Sequence, residues 1–277
     1  MYNLIMVGGD KRQLYLKEFL NQMGFSVFVY GFSNEDSIFL LNDKLKAPNS
    51  IVILPLPMTR DKENVNFSLS DEVLPLSFIS ERMKKGDVLF GGIIKEDFKS
   101  ELTNKGVNVI DFYDEDFILK NAYLTGICTV RIILENIDYD ISTAAIALTG
   151  YGRTGKEIAK ALNSVGANVT VIARNKEALN TALTDGFKVC ELSGISNIAD
   201  SFDILINTVP AVIIKEDTIS KLKKTTTLIE IASPPFGIDF DEAEKCGIKV
   251  IKALSLPGKF VPKTAGELIG EKIVNYL

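Results

Sequence analysis

The sequence predicts an α/β protein made of two doubly wound domains of similar size. Short runs of β-branched and apolar residues alternate with longer helical patterns along the whole chain, which is typical of repeated βα units around a parallel sheet. The chain has 277 residues, of which 46% are apolar and 24% charged, and this is enough material for two modest cores. We therefore expect one sheet in each half of the chain.

Each half contains five predicted strands. The strands of the first half are Leu4–Val7, Ser26–Tyr30, Ile51–Pro55, Val88–Gly91 and Val107–Ile110. Those of the second half are Ala144–Leu148, Asn168–Ile172, Ile204–Asn207, Thr227–Ile231 and Lys249–Lys252. Helical periodicity predicts helices over 154–164 and 176–184, a linking helix over 121–136 and a terminal helix over 264–276. The predicted domains are accordingly 1–125 and 126–277, with a ligand cleft between them.

Composition argues against several classes of protein. The chain has no histidine, which excludes Ser-His and Cys-His nucleophile systems and a histidine general base. Its three cysteines (Cys128, Cys190 and Cys246) lack the spacing of a zinc site or a disulfide framework, so no metal and a reducing cytoplasm are expected. A net charge of −5 disfavours non-specific binding of nucleic acid. Neither a signal peptide nor a membrane span is expected.

The strongest local signal is the run Gly150-Tyr151-Gly152-Arg153-Thr154-Gly155, which follows a predicted strand and opens a predicted helix. Glycines at this spacing allow a tight turn and close approach of a pyrophosphate, and the helix N-terminus offers N–H groups to the phosphates. The alternative is an ordinary glycine turn. The context favours a Rossmann domain that binds a dinucleotide through all six residues.

The end of the following strand indicates which dinucleotide is bound. Arg174, Asn175 and Lys176 stand where an NAD-binding domain usually carries an acid for the ribose 2′-hydroxyl. A guanidinium can hold a 2′-phosphate, whereas an acid would repel it. The sequence therefore predicts NADP, with a solvated arginine at a strand end as the alternative.

Further loops are expected at the same sheet edge, facing the nicotinamide half of the cofactor. The cofactor residues predicted there are Asn207, Thr208, Val209, Pro210, Ala232 and Ser233. A plain exit from strand to loop explains the first four equally well. Lys263, at the entry to the terminal helix, is a candidate catalytic residue, with a surface lysine as the alternative.

The first half carries a candidate substrate loop between its first strand and helix. This loop includes Gly9, Asp10, Arg12 and Gln13, and the turn with Thr59 and Arg60 is expected at the same cleft. Arg12, Gln13 and the backbone N–H groups of the helix N-terminus would hold a substrate carboxylate. Asp10 is a second candidate catalytic residue. The alternative is a helix cap at Asp10 with Arg12 in solvent.

Five segments, read in order, resemble the family of bacterial dipicolinate synthase A subunits: GGDKRQ, LTGYGRTGKEIAKALNSVGANVTVIAR, DILINTVP, IEIASPPFGIDFDEAEKCGIKVIKAL and LPGKFVPKTAGELI. The resemblance implies a flavodoxin-like or Rossmann-like first domain and an NAD(P)-binding second domain. It also implies NADP-dependent oxidation of a dihydrodipicolinate-type precursor to dipicolinate during sporulation, in the cytoplasm of the mother cell. A flavoprotein-like second subunit is the implied partner, and homo-oligomerisation is left open.

The chain departs from the pattern of the family at presumed substrate loops. Ile127 stands where the family carries Glu, LPLPMTRD replaces a Ser/Thr/Gly-rich turn, and Ser233-Pro234-Pro235-Phe236-Gly237 replaces a Ser-Lys-Pro-Gly-Gly run. Two alternatives therefore stay open beside the synthase. One is a related NADP-dependent amino-acid or hydroxyacid oxidoreductase, and the other is a non-catalytic NADP-binding subunit.

Overall fold

The computed structural model describes residues 3–33 and 36–277 and divides into two compact α/β units. The first unit comprises Met1–Ile118 and Gly258–Leu277, and the second comprises Leu119–Pro257. This differs from the predicted division at residue 125, which assigned the terminal helix to the second domain. The physical reason is that Leu268, Ile269 and Ile273 of that helix join the apolar core of the first unit.

The described elements follow one another in a regular βα order. The strands are β1 Asn3–Val7, β2 Val27–Tyr30, β3 Ser50–Ile53, β4 Val88–Gly91, β5 Asn108–Asp111, β6 Ala145–Thr149, β7 Asn168–Ala173, β8 Lys188–Glu191, β9 Ile204–Asn207, β10 Thr227–Glu230 and β11 Lys249–Lys252. The helices are α1 Lys11–Gln22, α2 Ile38–Lys46, α3 Leu76–Ser80, α4 Glu96–Asn104, α5 Glu115–Leu134, α6 Arg153–Ser164, α7 Lys176–Thr184, α8 Glu216–Ile219, α9 Phe240–Lys245, α10 Leu256–Phe260 and α11 Pro262–Val274.

The first unit contains a parallel sheet in the order β2-β1-β3-β4-β5, which is the flavodoxin-like arrangement. Neighbouring residues of β3 point to opposite faces and into different cores, Val52 into one and Ile53 into the other. Both faces of the sheet are therefore covered, which explains why its strands are continuous apolar runs.

The second unit contains a six-stranded parallel sheet in the order β11-β10-β9-β6-β7-β8. This is the strand order of a Rossmann domain, and it confirms the predicted fold class. The sequence predicted five strands here and missed β8. That strand lies at the sheet edge and reads Lys-Val-Cys-Glu with both ends exposed, so it lacks the apolar run that marks the buried strands.

Helix α5 links the two units and begins earlier than the predicted residue 121. It starts at Glu115 because Asp114 accepts a hydrogen bond from the backbone N–H of Phe117, at 2.9 Å. Among the described residues, α5 alone is long and apolar enough to cross a membrane, but half of its most apolar window is buried inside the fold. A core helix has the same length and composition, so this is weak evidence for a membrane span.

Candidate functional site

A cavity of about 410 Å³ opens at the carboxyl edge of the sheet in the second unit. Its walls come from the loops after β6, β7, β8 and β9, and the order of the sheet reverses between β6 and β9. Ligands of doubly wound folds bind at such a reversal. The lining residues are Gly150, Tyr151, Gly152, Ile172, Ala173, Arg174, Asn175, Ala178, Leu192, Val209, Ala211 and Ile213.

The glycine loop after β6 has the geometry that a pyrophosphate requires. Gly150 adopts a φ of +89°, which disfavours any residue with a side chain. A methyl group built at Gly155 would collide with the carbonyl oxygen of Gly150, so the loop can pack on α6 only if this position is glycine. Gly152 is the N-cap of α6 and has no side chain to accept from the first helical turn. The loop therefore presents the N–H groups of a helix start, a favourable environment for an anion, beside open space.

Tyr151 anchors the glycine loop to the rest of the second unit. Its hydroxyl donates to the Asp185 carboxylate at 2.7 Å, and its ring packs edge-on against Phe187 with the centroids 6.0 Å apart. Burial, together with the bond to Asp185, raises the pKa of Tyr151 well above its usual value of 10.0. The phenol therefore stays protonated and serves as a donor to Asp185.

Three basic or amide residues predicted after β7 have different surroundings. Arg174 and Asn175 are exposed and line the cavity, and Asn175 also caps α7 by accepting from the backbone N–H of Glu177 at 2.8 Å. Lys176 is exposed and lies outside the cavity wall. Arg174 is thus a cation at the cavity that can meet a phosphate.

Hydrogen bonds of buried side chains fix the conformation of the loop after β9. The Asn207 side chain is fully buried and bonded to Thr149, Val209 and Glu230, while the hydroxyl of Thr208 donates to the Thr149 carbonyl oxygen at 2.7 Å. Asn207 and Thr208, both predicted to bind the cofactor, thus fix the conformation of the loop, whereas Val209 lines the cavity. Predicted residues that do not line it are Arg153, Thr154, Gly155, Lys176, Asn207, Thr208, Pro210, Ala232 and Ser233.

The apolar part of the cavity wall was missed by the sequence interpretation. Its residues have apolar side chains, which do not mark a binding site in the sequence: Ala178, Leu192, Ala211 and Ile213. Leu192 also follows β8, a strand that the sequence did not predict. Finding β8 in the sequence would have placed Leu192 at the carboxyl edge of the sheet.

In the first unit, the start of α1 is closed by its own side chains. Asp10 and Gln13 form a capping box in which the Arg12 backbone N–H donates to Asp10 and the Asp10 backbone N–H donates to Gln13, each at 3.0 Å. The backbone N–H of Gln13 donates to the Asp10 carbonyl oxygen at 2.9 Å. These N–H groups, which were predicted from the sequence to bind a substrate carboxylate, are therefore occupied within the helix cap.

Arg12 is buried, with 5% of its surface exposed, and it is bound to Asp10 through two parallel hydrogen bonds. Its Nε donates to Asp10 Oδ1 at 2.9 Å and its Nη2 to Asp10 Oδ2 at 2.8 Å, and Nη2 also donates to the carbonyl oxygen of Leu56. Arg12 is therefore neither solvated nor free to donate to a substrate, the two alternatives that the sequence predicted. Its guanidinium positions Asp10 and joins α1 to the chain that follows β3.

The surroundings of Asp10 fix its charge. Burial by itself raises its pKa, but the hydrogen bonds and charge of Arg12, with a further contribution from Arg60, outweigh burial and hold the pKa below 3.8. Asp10 is therefore ionised at neutral pH. Arg60 is exposed and lines a second cavity of about 320 Å³, whereas the Thr59 hydroxyl bonds to Asp61 at 3.1 Å within a turn.

Two further predicted residues lie in the same unit. Gln13 is 1% exposed, and among the described residues its Nε2 is the buried side-chain polar atom without a hydrogen-bond partner. Lys263 is exposed in the first turn of α11. Helix α11 packs closely on α1, where a methyl group built at Gly266 would collide with the carbonyl oxygen of Arg12. The structure thus brings Arg12 of GGDKRQ and Gly266 of LPGKFVPKTAG together within the first unit.

Comparison with known proteins covers the whole chain. Residues 3–113 match the N-terminal domain of the dipicolinate synthase A subunit, while residues 123–259 match the S-adenosyl-L-homocysteine hydrolase NAD binding domain. The dipicolinate synthase A subunit of Bacillus subtilis (strain 168) is 30% identical over 285 residues, which cover 99% of this chain and 95% of that protein.

Solved structures show the same relationship. The dipicolinate synthase A subunit from Bacillus halodurans superposes with a TM-score of 0.84 at 25% identity, covering 99% of this chain and 97% of that one. A dipicolinate synthase A chain from Bacillus subtilis superposes with a TM-score of 0.82 at 28% identity, covering 100% of this chain and 95% of that one. An L-alanine dehydrogenase shares the fold alone, with a TM-score of 0.60 at 13% identity, covering 98% of this chain and 88% of that one. The match over residues 123–259 and the Rossmann strand order together show that the second unit is a nicotinamide-dinucleotide-binding domain.

Proposed function

The chain belongs to the family of dipicolinate synthase A subunits, and from this premise we propose that it catalyses NADP-dependent oxidation of a dihydrodipicolinate-type precursor to dipicolinate. The observation that carries the proposal is the full-length similarity combined with a glycine-loop cavity lined by a cation, Arg174. Neither the N-terminal match nor the dinucleotide cavity alone would specify this reaction.

The proposed reaction is balanced by a single hydride transfer. A ring C–H bond of the dihydropyridine breaks with its electron pair, a second ring proton is lost, and the products are pyridine-2,6-dicarboxylate, NADPH and one proton. Bound NADP+ would supply the hydride acceptor. Aromatisation of the ring provides much of the driving force, so the protein mainly has to orient the two reactants and accept a proton.

The preference for NADP over NAD rests on Arg174. It directly follows β7, where the ribose of the adenosine half is bound in this fold, and it is exposed at the cavity. A guanidinium there offers paired hydrogen bonds to a 2′-phosphate. Among the described residues, no carboxylate lines this cavity to hold a ribose diol instead.

In the first unit, we propose Arg60 and Gln13 as the residues that hold the substrate carboxylates. Arg60 is an exposed cation whose charge helps to lower the pKa of Asp10, and Gln13 carries an amide donor that bonds to none of the residues that the structure describes. Arg12 is already bound to Asp10, so its role is to position that carboxylate. Asp10, ionised at neutral pH, is the candidate proton acceptor, and Lys263 stays a proposed catalytic residue.

The test is to incubate the purified chain with a freshly generated dihydrodipicolinate-type precursor and to follow NADPH formation by absorbance. The assay is run with NADP and with NAD, and with and without a flavoprotein-like second subunit, the partner that we propose in the mother cell of a sporulating bacterium. NADP-dependent formation of dipicolinate supports the proposal. Dinucleotide binding without turnover under every condition would contradict it and identify a non-catalytic subunit.

A further inference from the structure

We infer that Glu230 is a positioning residue for the dinucleotide cavity, because its buried carboxylate holds the wall formed by Val209 and Ile213. The inference rests on the proposed role of this cavity in binding NADP. Glu230 is the last residue of β10 and does not itself line the cavity. Its influence has to pass through the residues to which it is bonded.

The carboxylate of Glu230 is fully buried and accepts four N–H donors. Oε1 accepts from the side-chain amide of Asn207 at 2.7 Å and from the backbone of Ala232 at 3.0 Å. Oε2 accepts from the backbone N–H groups of Gly237 at 2.8 Å and Ile238 at 3.0 Å. Burying an ionised carboxylate is costly unless such donors compensate it. Asn207 ends β9, where its loop begins, and the other three donors lie in the loop after β10, so Glu230 fixes both loops.

The first connection to the cavity runs through Asn207. Its amide nitrogen donates to the carbonyl oxygen of Val209 at 2.9 Å, and its amide oxygen accepts from the backbone N–H of Val209 at 3.1 Å. The same oxygen accepts from the Thr149 hydroxyl at 2.7 Å. Both backbone polar groups of Val209 are thus fixed by one side chain, and the orientation of that side chain is set by Glu230 and Thr149.

The second connection runs through Gly237. Its N–H donates to Glu230, and its carbonyl oxygen accepts from the backbone N–H of Ile213 at 3.0 Å. A methyl group built at Gly237 would lie 2.5 Å from the carbonyl oxygen of Val209, so the two connected loops are in close contact. Val209 and Ile213 are both cavity-lining residues. Both connections from Glu230 therefore end on the same wall.

The experiment compares Glu230→Gln with Glu191→Gln. Glutamine replaces one carboxylate oxygen with an NH2 group that must face N–H donors, so the two loops cannot keep all their bonds. Glu191 is an exposed residue at the end of β8, on the same edge of the sheet. Titration calorimetry with NADP, at a temperature where circular dichroism shows both variants folded, should give about a tenfold or greater rise in Kd for Glu230→Gln and less than about twofold for Glu191→Gln.

A purely structural role would lower the thermal midpoint of Glu230→Gln and leave the NADP Kd of the folded protein unchanged, and that result overturns the inference. If this variant does not fold, Thr149→Val takes its place, because it puts a methyl group in place of the hydroxyl that donates to Asn207 at 2.7 Å and, more weakly, to the Ile206 carbonyl oxygen at 3.3 Å. We expect about a threefold weaker Kd for Thr149→Val and recovery in Thr149→Ser; equal affinity of the valine variant and the parent overturns the inference. A parent chain that binds no dinucleotide refutes the proposed function instead.

Discussion

Replacing Arg12 with alanine should destabilise the first unit by about 2–4 kcal/mol. The change removes two hydrogen bonds to Asp10, of 2.9 and 2.8 Å, and the bond from Nη2 to the carbonyl oxygen of Leu56. Losing one partner of a fully buried ion pair costs about 3–5 kcal/mol. Here the Asp10 side chain keeps 18% exposure and one backbone N–H donor, which lowers the expected loss.

Urea unfolding monitored by circular dichroism measures this loss, and Lys11→Ala is the matched control. Lys11 is exposed, so its replacement should change the unfolding free energy by less than about 0.5 kcal/mol. The pKa of Asp10 is lowered in the folded protein, so the ion pair contributes fully above the unfolded pKa of 3.8 and is lost as the pH falls through the lower folded value. The difference in unfolding free energy between the parent and Arg12→Ala should therefore become smaller below pH 3.8. Equal losses for both variants, or a gap independent of pH, would refute the reasoning.

Three further outcomes are expected. Arg174→Asp should weaken NADP binding by about 1–3 kcal/mol in titration calorimetry and change NAD binding little, because only NADP carries the 2′-phosphate. Gly155→Ala should lower stability by about 2 kcal/mol or more in thermal unfolding and weaken NADP binding, because the methyl group meets the Gly150 carbonyl. Arg60→Ala should weaken pyridine-2,6-dicarboxylate binding by about 1 kcal/mol in calorimetry and change the unfolding free energy by less than about 0.5 kcal/mol.

Each of these outcomes has an internal control. Lys176→Asp, an exposed neighbour of Arg174 outside the cavity wall, should not discriminate between NADP and NAD. Gly152 has a φ of −83° and open space at its Cβ position, so Gly152→Ala should keep the stability that Gly155→Ala loses. Arg60→Lys should retain much of the dicarboxylate affinity. Equal effects in a variant and its control would contradict the corresponding argument.

The features that local chemistry determines could be predicted from the sequence. Apolar strand runs and helical periodicity indicated both parallel sheets, since the pattern of each element depends on its own residues. The glycine loop was recognisable because Gly150 and Gly155 are demanded by backbone geometry within six residues of chain. Arg174 followed from its position at the end of β7.

The remaining features depend on residues that are distant in sequence. The orientation of Arg12 is set partly by the carbonyl oxygen of Leu56, 44 residues away. The side-chain amide of Asn207 donates to Glu230, which is 23 residues away. An exposed and a buried arginine at position 12 have the same sequence pattern. Only the packing of α1 against α11 and the chain after β3 distinguishes them.

The division of the chain between the two units has a consequence for its synthesis. The second unit is one continuous stretch, Leu119–Pro257, whereas the first needs Gly258–Leu277 in addition to its N-terminal part. On the ribosome, the dinucleotide domain therefore has all of its residues before its neighbour does. Until Leu268, Ile269 and Ile273 emerge, the apolar face that includes Leu16 and Phe90 lacks part of its cover. A nascent chain at that stage offers an exposed hydrophobic surface to chaperones.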